Sequence, residues 1–547
     1  MGKKLYIATA IPYVNGKPHI GHVLDPLLAD IWARYQKQSG DEARFQVGTD
    51  EHGNKIAAKA QEAGMTPQEF ADQNCRHFQE LLAKMKVNYT DFVRTTDLKH
   101  KARAQYIWNQ LKPYIYRGSY EGRYCEGCVG FVKEKEAGAN EMVCPDHKTR
   151  YVKLEEENYF LRISDFAGQI REAIESDKMK IMPEFRKKEF LALMDKGMPD
   201  VSVSRPRKSL SWGVPVPDDE NQVMYVWMDA LSNYLTVLGY PDDERWNEFW
   251  PADVQVMGKD ILRFHAGIWP AMLLGLGMEL PKVLLTHGFI TVGGDKMSKT
   301  VGNVIDPMEV IDKYGLDAFR YYFSRHVTTN SDGDFTWERF ENAYNNELVN
   351  DLGNLVQRTA GMVNKYMSGV IGEIQQPEHD MYRFRGAMSE MNFSEAMDII
   401  WSLVEGANGF IEKVKPWKIA KAAEEGTDPE PKAHLEEVLG HVVGTIMQIA
   451  EMLRPFLPDA AERISGIFVE GVVKLPEEGV FSKVYLYTPD PSVARSEAGS
   501  GGGEGAVKGK KVGKVKKGKV EKVGGKESVD GVEGVGGAGE AAGDAGA

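Results

Sequence analysis

Short apolar runs alternate with helix-patterned stretches over the first hundred residues, and this alternation limits the possible fold more than any other feature of the chain. Residues 4–11 (KLYIATAI) form a continuous apolar run ahead of turn-forming residues and predict a strand buried on both faces. Residues 23–38 carry apolar side chains three and four apart and predict a helix. Residues 43–48 predict a second strand and 55–63 a second helix. Strand, helix, strand, helix is the pattern of a parallel sheet with helical crossovers, an α/β fold of the Rossmann type. The texture returns at 254–257 and 283–287, so the sheet domain is divided. Residues 1–112 give its first half and 224–295 its second. The stretch 113–223, rich in turn residues and holding three of the four cysteines, is expected to be an insertion.

After a linking region at 296–346 the pattern becomes almost wholly helical. NNELVNDLGNLVQRTAGMVNKY, SEAMDIIWSLVEGANGFIEKV and LEEVLGHVVGTIMQIAEMLRPFL repeat apolar residues at helical spacing, and a helical bundle is expected over 347–492. Residues 493–547 hold 17 of the 56 glycines and no aromatic side chain. Such a segment has too little to bury to offset its ordering entropy, so a disordered tail is expected. Its stretch 507–526 carries nine lysines and one glutamate, which suits either a solubilising tail or a loose phosphate-binding arm.

The net charge is −13, which excludes polyanion binding by bulk charge; any nucleic-acid contact must come from a local patch. Four cysteines exclude a disulfide scaffold. No run of eighteen apolar residues is present, and the first residues lack a signal-peptide or myristoylation pattern, so a cytoplasmic protein without a membrane span is expected.

Two short motifs carry chemistry. Pro18-His19-Ile20-Gly21-His22 follows the first strand and opens a helix. A helix start after a parallel strand offers backbone N–H groups and a positive dipole end to phosphate, and Gly21 leaves room for a flat base. By itself the pair of imidazoles also fits a structural or metal-binding role. Lys296-Met297-Ser298-Lys299-Thr300 follows Gly293-Gly294-Asp295 and makes a flexible, doubly cationic loop that can close over a polyphosphate. By itself it also fits a solvated surface turn.

A third motif is more specific. Cys125-x-x-Cys128, fifteen residues, then Cys144-x-x-His147 supplies three thiolates and an imidazole at the spacing of one tetrahedral structural zinc ion. Four protein ligands leave no position for water. Cys75 stands outside the cluster and reads as a buried thiol.

The first two motifs together, in this order and context, resemble the paired signatures of class I aminoacyl-tRNA synthetases. Thr300 stands where that family usually has serine and keeps the hydroxyl. Over residues 4–490 the chain resembles the methionyl-tRNA synthetases in particular, through Ala10-Ile11-Pro12-Tyr13-Val14-Asn15-Gly16, Gly48-Thr49-Asp50-Glu51-His52-Gly53, Tyr225-Val226-Trp227-Met228-Asp229-Ala230 and Thr286-His287-Gly288-Phe289.

The resemblance implies a ligase that makes methionyl-adenylate from methionine and ATP, with Mg²⁺ accompanying the ATP, and then charges tRNA(Met). It implies that His19, His22, Lys296 and Lys299 are catalytic, and that Gly21, Lys259, Asp260 and Ser298 also touch ATP. Gly258-Lys259-Asp260 equally fits a turn with a solvated charge pair. Ile11, Tyr13, Trp227, Ala230, Tyr234 and His287 would line the methionine pocket, with Asp50 on the ammonium. Aromatic walls suit a polarizable thioether, and a carboxylate suits an ammonium. In the bundle, the anticodon-binding domain by resemblance, Asn354, Arg358 and Trp417 would read the anticodon, Trp417 by stacking. Residues 296–346 would touch the tRNA stem. A monomer is expected. Two rivals remain: a catalytically silent tRNA-binding paralogue, and a cysteine-specific relative.

Overall fold

The computed structural model describes residues 2–483, apart from 126–129, 133–142, 145–148, 298–301, 373, 375–377, 427–429 and 470. The Gly/Lys-rich tail lies outside the described residues.

Six parallel strands form the central sheet, in the spatial order Asp91–Arg94, Glu42–Thr49, Lys4–Thr9, Val254–Gly258, Val283–His287, Lys180–Met182. The predicted strands and helices of the first hundred residues are present, with helices at Leu24–Gln38 and Asn54–Glu62. The first strand stops at Thr9, short of the predicted Ile11. Pro12 has no N–H to continue a ladder, and the chain turns out of the sheet here. Period two then decides where each side chain of this strand goes. Leu5 and Ile7 enter one core, with helix Leu24–Gln38 and the helical bundle behind it. Tyr6 and Ala8 enter a second core on the opposite face, with helix Val226–Thr236 and residues such as Leu161, Phe166 and Ile170 of the insertion.

The stretch 113–223 builds a long antiparallel pair, Ile115–Cys125 with Val152–Leu161. It also returns Lys180–Met182 to the edge of the main sheet, beside Val283–Leu285. The bundle comprises helices Asn354–Met367, Phe393–Val414, Pro416–Glu425, Glu430–Leu453 and Pro458–Ile467 among others. The stretch Tyr344–Gly353, expected as plain α-helix, is a wider π-helical segment that passes into α-helix at Asn354.

One buried ion pair ties sheet and bundle together. Arg320, fully buried, reaches Asp30 of helix Leu24–Gln38 at 2.7 Å. The same guanidinium donates to the carbonyls of Phe456 (2.6 Å), Pro455 (2.9 Å) and Met85 (3.3 Å). Asp30 also accepts from Arg34 at 2.7 Å and from the Asn88 N–H at 2.8 Å. Arg320→Met strands a buried carboxylate and these carbonyls. It is expected to cost about 3–5 kcal/mol, seen as a lower midpoint in urea unfolding; a shift of a few tenths of a kcal/mol would refute the structural role given to this pair.

Candidate active site

The strand order reverses between Lys4–Thr9 and Val254–Gly258, and parallel strands put all their carboxyl ends on one side. The crossovers on either side of such a reversal leave in opposite directions and open a crevice there. The crevice is a cavity of about 920 Å³. Residues just past four strands line it: Ile11 and Tyr13 after the first, Asp50 after Glu42–Thr49, Asp260 after Val254–Gly258, and His287 at the end of its strand.

The first motif forms a 3-10 turn at Ile20–His22, not the first turn of an α-helix. His19 caps it. The Gly21 N–H donates to His19 Nδ1 at 3.0 Å, and the His19 N–H donates to His22 Nδ1 at 3.1 Å. Both Nδ1 atoms therefore act as acceptors, which makes each ring the neutral tautomer with its proton on Nε2. The rings lie 4.0 Å apart, and His22 packs edge-on against Phe78. A Cβ on Gly21 would sit 2.7 Å from the His19 ring and 3.0 Å from the Met297 methyl, so these groups occupy the space its missing side chain leaves.

Met297 belongs to the second motif, and the two motifs meet in a second way: the Ile20 N–H donates to the Ile305 carbonyl at 3.1 Å, at the far end of the lysine loop. Lys296 opens into the same cavity as His19 and His22. Its ammonium lies 5.2 Å from the centre of the Phe289 ring, and the Lys259 ammonium 4.6 Å from it. Lys259 is directed to Asp332, at 2.6 and 2.8 Å, and is not among the cavity-lining residues. Ser298 and Lys299, with Thr300, lie outside the described residues.

Helix Val226–Thr236 forms the apolar end. Trp227, Ala230 and Tyr234 are spaced to share one face of it, and all line the cavity. Trp227 stacks on Phe264 with ring centres 3.9 Å apart. Behind them is His265, which follows Gly258-Lys259-Asp260 in the family resemblance but was given no role from sequence. Burial pushes its pKa down to about 4, so the ring is neutral. Its Nδ1 donates to the Ile261 carbonyl at 3.0 Å, which leaves Nε2 to accept from the Tyr234 hydroxyl at 2.8 Å. The slot thus combines aromatic walls with an uncharged polar floor.

Asp50 is held at the rim by backbone pairing with the segment after the first strand: its N–H donates to Pro12 at 2.9 Å and its carbonyl accepts from Val14 at 3.1 Å. It is buried, and its Oδ1 has no hydrogen-bond partner. Burial, and next the nearby charge of Asp229, raises its pKa well above the ordinary carboxylate range. Asp229 shows the opposite behaviour. Burial disfavours its charge, yet His52 at 2.7 Å and His100 at 2.9 Å outweigh that and hold its pKa far below the ordinary range. Asp229 pins the slot helix both to the loop carrying Asp50 and to helix Leu98–Leu111. Asp25, also on the cavity wall, lies 3.2 Å from His287 Nε2 and raises that imidazole's pKa against the effect of burial. Sequence spacing offered a signal for Asp25, three residues past His22, but none that named the partners of Asp229.

Cys125 and Cys144 are buried in the insertion, and both residues meet Thr149: Cys125 Sγ lies 3.8 Å from Thr149 Oγ1, and the Cys144 backbone N–H donates to the Thr149 carbonyl at 2.8 Å. Cys128 and His147 lie outside the described residues, and the described residues contain no three-membered metal-binding group. Cys75 is buried as expected, its thiol pKa pushed up by burial to about 11. In the bundle, the Arg358 guanidinium lies 5.3 Å from the centre of the Trp417 ring, and Asn354 stands one turn before Arg358 on the exposed side of the same helix. A left-handed Lys415 followed by Pro416 ends one helix and starts the next, which places Trp417 at the corner.

The depressed pKa of Asp229 fixes a pH dependence. A carboxyl lowered on folding contributes stability above its unfolded pKa and loses it as pH falls through the folded value. Asp229→Asn is expected to lose about 3 kcal/mol at pH 7, with the gap between the two proteins full above about pH 4 and narrowing below it. Urea unfolding at a series of pH values checks this; a gap that widens on acidification would contradict it.

The sequence profile of the class I tRNA synthetases (M) matches residues 5–153 and 147–360. A methionine–tRNA ligase of Listeria monocytogenes is 40% identical over 480 residues, covering 83% of this chain and 70% of its own. A methionine–tRNA ligase of Caldanaerobacter subterraneus is 39% identical over 479 residues, covering 85% of this chain and 74% of its own. The solved structure of Mycobacterium tuberculosis methionyl-tRNA synthetase in complex with methionyl-adenylate superposes with a TM-score of 0.83 at 32% identity, over 88% of this chain and 99% of that one. With the paired motifs on one crevice and these similarities along most of its length, the chain belongs to the methionyl-tRNA synthetase family of class I tRNA synthetases.

Proposed function

We propose that the chain is a methionine–tRNA ligase that activates methionine with ATP and transfers it to tRNA(Met). One observation carries this reading: neutral imidazoles at His19 and His22, the ammonium of Lys296, the buried carboxyl of Asp50 and an aromatic slot all line one cavity. In the first step a methionine carboxylate oxygen attacks the α-phosphorus, the bond to the bridging oxygen breaks, and pyrophosphate leaves with the electron pair. The Nε2–H groups of His19 and His22 donate to phosphate oxygens, and Lys296, with Lys299 by resemblance, neutralises charge on the leaving group. Mg²⁺ accompanies ATP. Asp260 and Gly21, with Ser298 by resemblance, complete the nucleotide site; Lys259 acts there through Phe289 and Asp332. Asp50 takes the ammonium. Ile11, Tyr13, Trp227, Ala230, Tyr234 and His287 enclose the thioether side chain. In the second step a terminal hydroxyl of the tRNA attacks the mixed anhydride and AMP departs. Amino-acid-dependent ATP–pyrophosphate exchange across all twenty amino acids tests the reading. Exchange with methionine is expected; exchange with cysteine in its place, or tRNA binding without any exchange, would overturn it.

The raised pKa of Asp50 has a consequence for binding. An ammonium needs the ionised carboxyl, so methionine affinity falls as pH drops through the Asp50 value, which lies above the ordinary range near 4. The KM for methionine in exchange is expected to rise on acidification in the wild type and to be high and flat in Asp50→Asn. A wild-type KM constant down to pH 4 would sink the role of Asp50.

One structural zinc ion is proposed on Cys125, Cys128, Cys144 and His147. The burial of Cys125 and Cys144, both held beside Thr149, supports it. Four protein donors suit a closed tetrahedral ion that stabilises the insertion. One zinc per chain is expected by atomic emission, and Cys144→Ser is expected to lose it along with thermal stability; a metal-free wild type would exclude the site.

Asn354, Arg358 and Trp417 are proposed to read the anticodon, supported by the packing of Arg358 on Trp417. Trp417→Ala is expected to weaken tRNA binding by about 1–3 kcal/mol while methionine-dependent exchange stays intact. Unchanged affinity in a filter-binding assay would remove Trp417 from the interface.

A further inference from the structure

One wall of the cavity carries none of the residues assigned above to ATP or methionine. It comes from the insertion, through strand Val152–Leu161 and the segment 205–210. Glu156 lies on this wall and is only 6% exposed, whereas Glu157 beside it faces solvent, as strand alternation requires. Glu156 Oε1 accepts the Ser209 hydroxyl at 2.5 Å. Ser209 is itself fixed: its N–H donates to the Pro206 carbonyl at 2.8 Å, and its carbonyl accepts from the Asn54 amide at 2.5 Å. Glu156 Oε2 is buried and has no hydrogen-bond partner. The carboxylate is thus held by one oxygen, while the other lies buried and unpartnered in the cavity wall. A buried acceptor without a donor is costly, so the site is built for a ligand that brings an O–H or N–H.

We propose that Glu156, oriented by Ser209, binds the terminal nucleoside of the incoming tRNA, with Oε2 accepting a ribose hydroxyl. The inference rests on the ligase reading and adds to it the site for the second substrate. Charge selects the ligand. A carboxylate repels the triphosphate of ATP and the phosphates of the RNA backbone. The methionine ammonium has Asp50. The 3′-terminal ribose of a tRNA carries two adjacent hydroxyls with no phosphate beyond them, and a carboxylate is the usual protein partner of such a sugar hydroxyl.

Glu156→Gln tests this at nearly constant volume. Ser209 can still donate to the amide oxygen, which turns the amide N–H₂ towards the cavity where an acceptor is needed. Single-turnover transfer from enzyme-bound methionyl-adenylate to tRNA is expected to fall roughly 10- to 100-fold more than methionine-dependent pyrophosphate exchange does. The wild type is expected to bind intact tRNA more tightly than tRNA lacking its terminal adenosine, and this difference is expected to shrink in Glu156→Gln. Ser209→Ala, which frees the carboxylate to turn, is expected to show the same pattern more weakly. Equal losses in exchange and transfer, a rise in the exchange KM for ATP, or an unchanged terminal-adenosine difference would each overturn the proposal. Absence of exchange in the wild type is a separate failure, that of the ligase reading itself.

Discussion

The pairing of strand Lys4–Thr9 with strand Val254–Gly258 is the contact on which the site depends. The strands are parallel, so the loops after both emerge on the same side, and the strand order reverses between them. Neither half of the divided sheet domain makes a crevice alone. Joined, they bring His19 and His22 from one half against Asp260 and His287 from the other, with Lys296 just beyond it. The link from the Ile20 N–H to the Ile305 carbonyl, and the packing of Met297 on Gly21, then hold the end of the lysine loop to the imidazole turn.

Two carboxylates near the slot illustrate how environment divides labour between identical groups. Asp229 is enclosed by two imidazoles, keeps its charge, and serves as a fixed anchor for helix Val226–Thr236. Asp50 is buried without such partners and carries the neighbouring charge as a further penalty, so its carboxyl is poised to gain from an arriving cation. Glu156 on the insertion wall likewise has one oxygen held and the other buried without a partner. An anchored charge builds the site; a half-satisfied one is available to a ligand.

Much of the fold was legible because it follows from periodicity. The runs at 43–48 and 283–287 became strands with nearly those bounds, and the bundle helices followed their apolar spacing. The misreadings were local. The His19–His22 segment forms a 3-10 turn because its own side chains cap it, and residues 344–353 widen into π-helix; neither follows from a hydrophobic pattern. Within the site, Tyr13, Trp227 and Tyr234 were named through resemblance to the methionyl-tRNA synthetases. His265 and Asp229 lay in or beside matching stretches but were given no role, and Glu156 drew no notice, because a histidine, an aspartate or a glutamate in a run of glutamates looks the same in sequence whether it meets solvent or a buried partner.

By itself, the sequence determined the class of fold, the division of the sheet domain and the residue types that suit phosphate, ammonium and thioether, since these depend on neighbours within a few positions along the chain. Tertiary structure alone decided that the histidine turn and Lys296 face one cavity, that Asp229 sits between His52 and His100, and that Arg358 meets Trp417. The physical reason is range. Backbone preference and hydrophobic periodicity act locally, whereas burial and charge pairing act between groups that only the folded chain brings together.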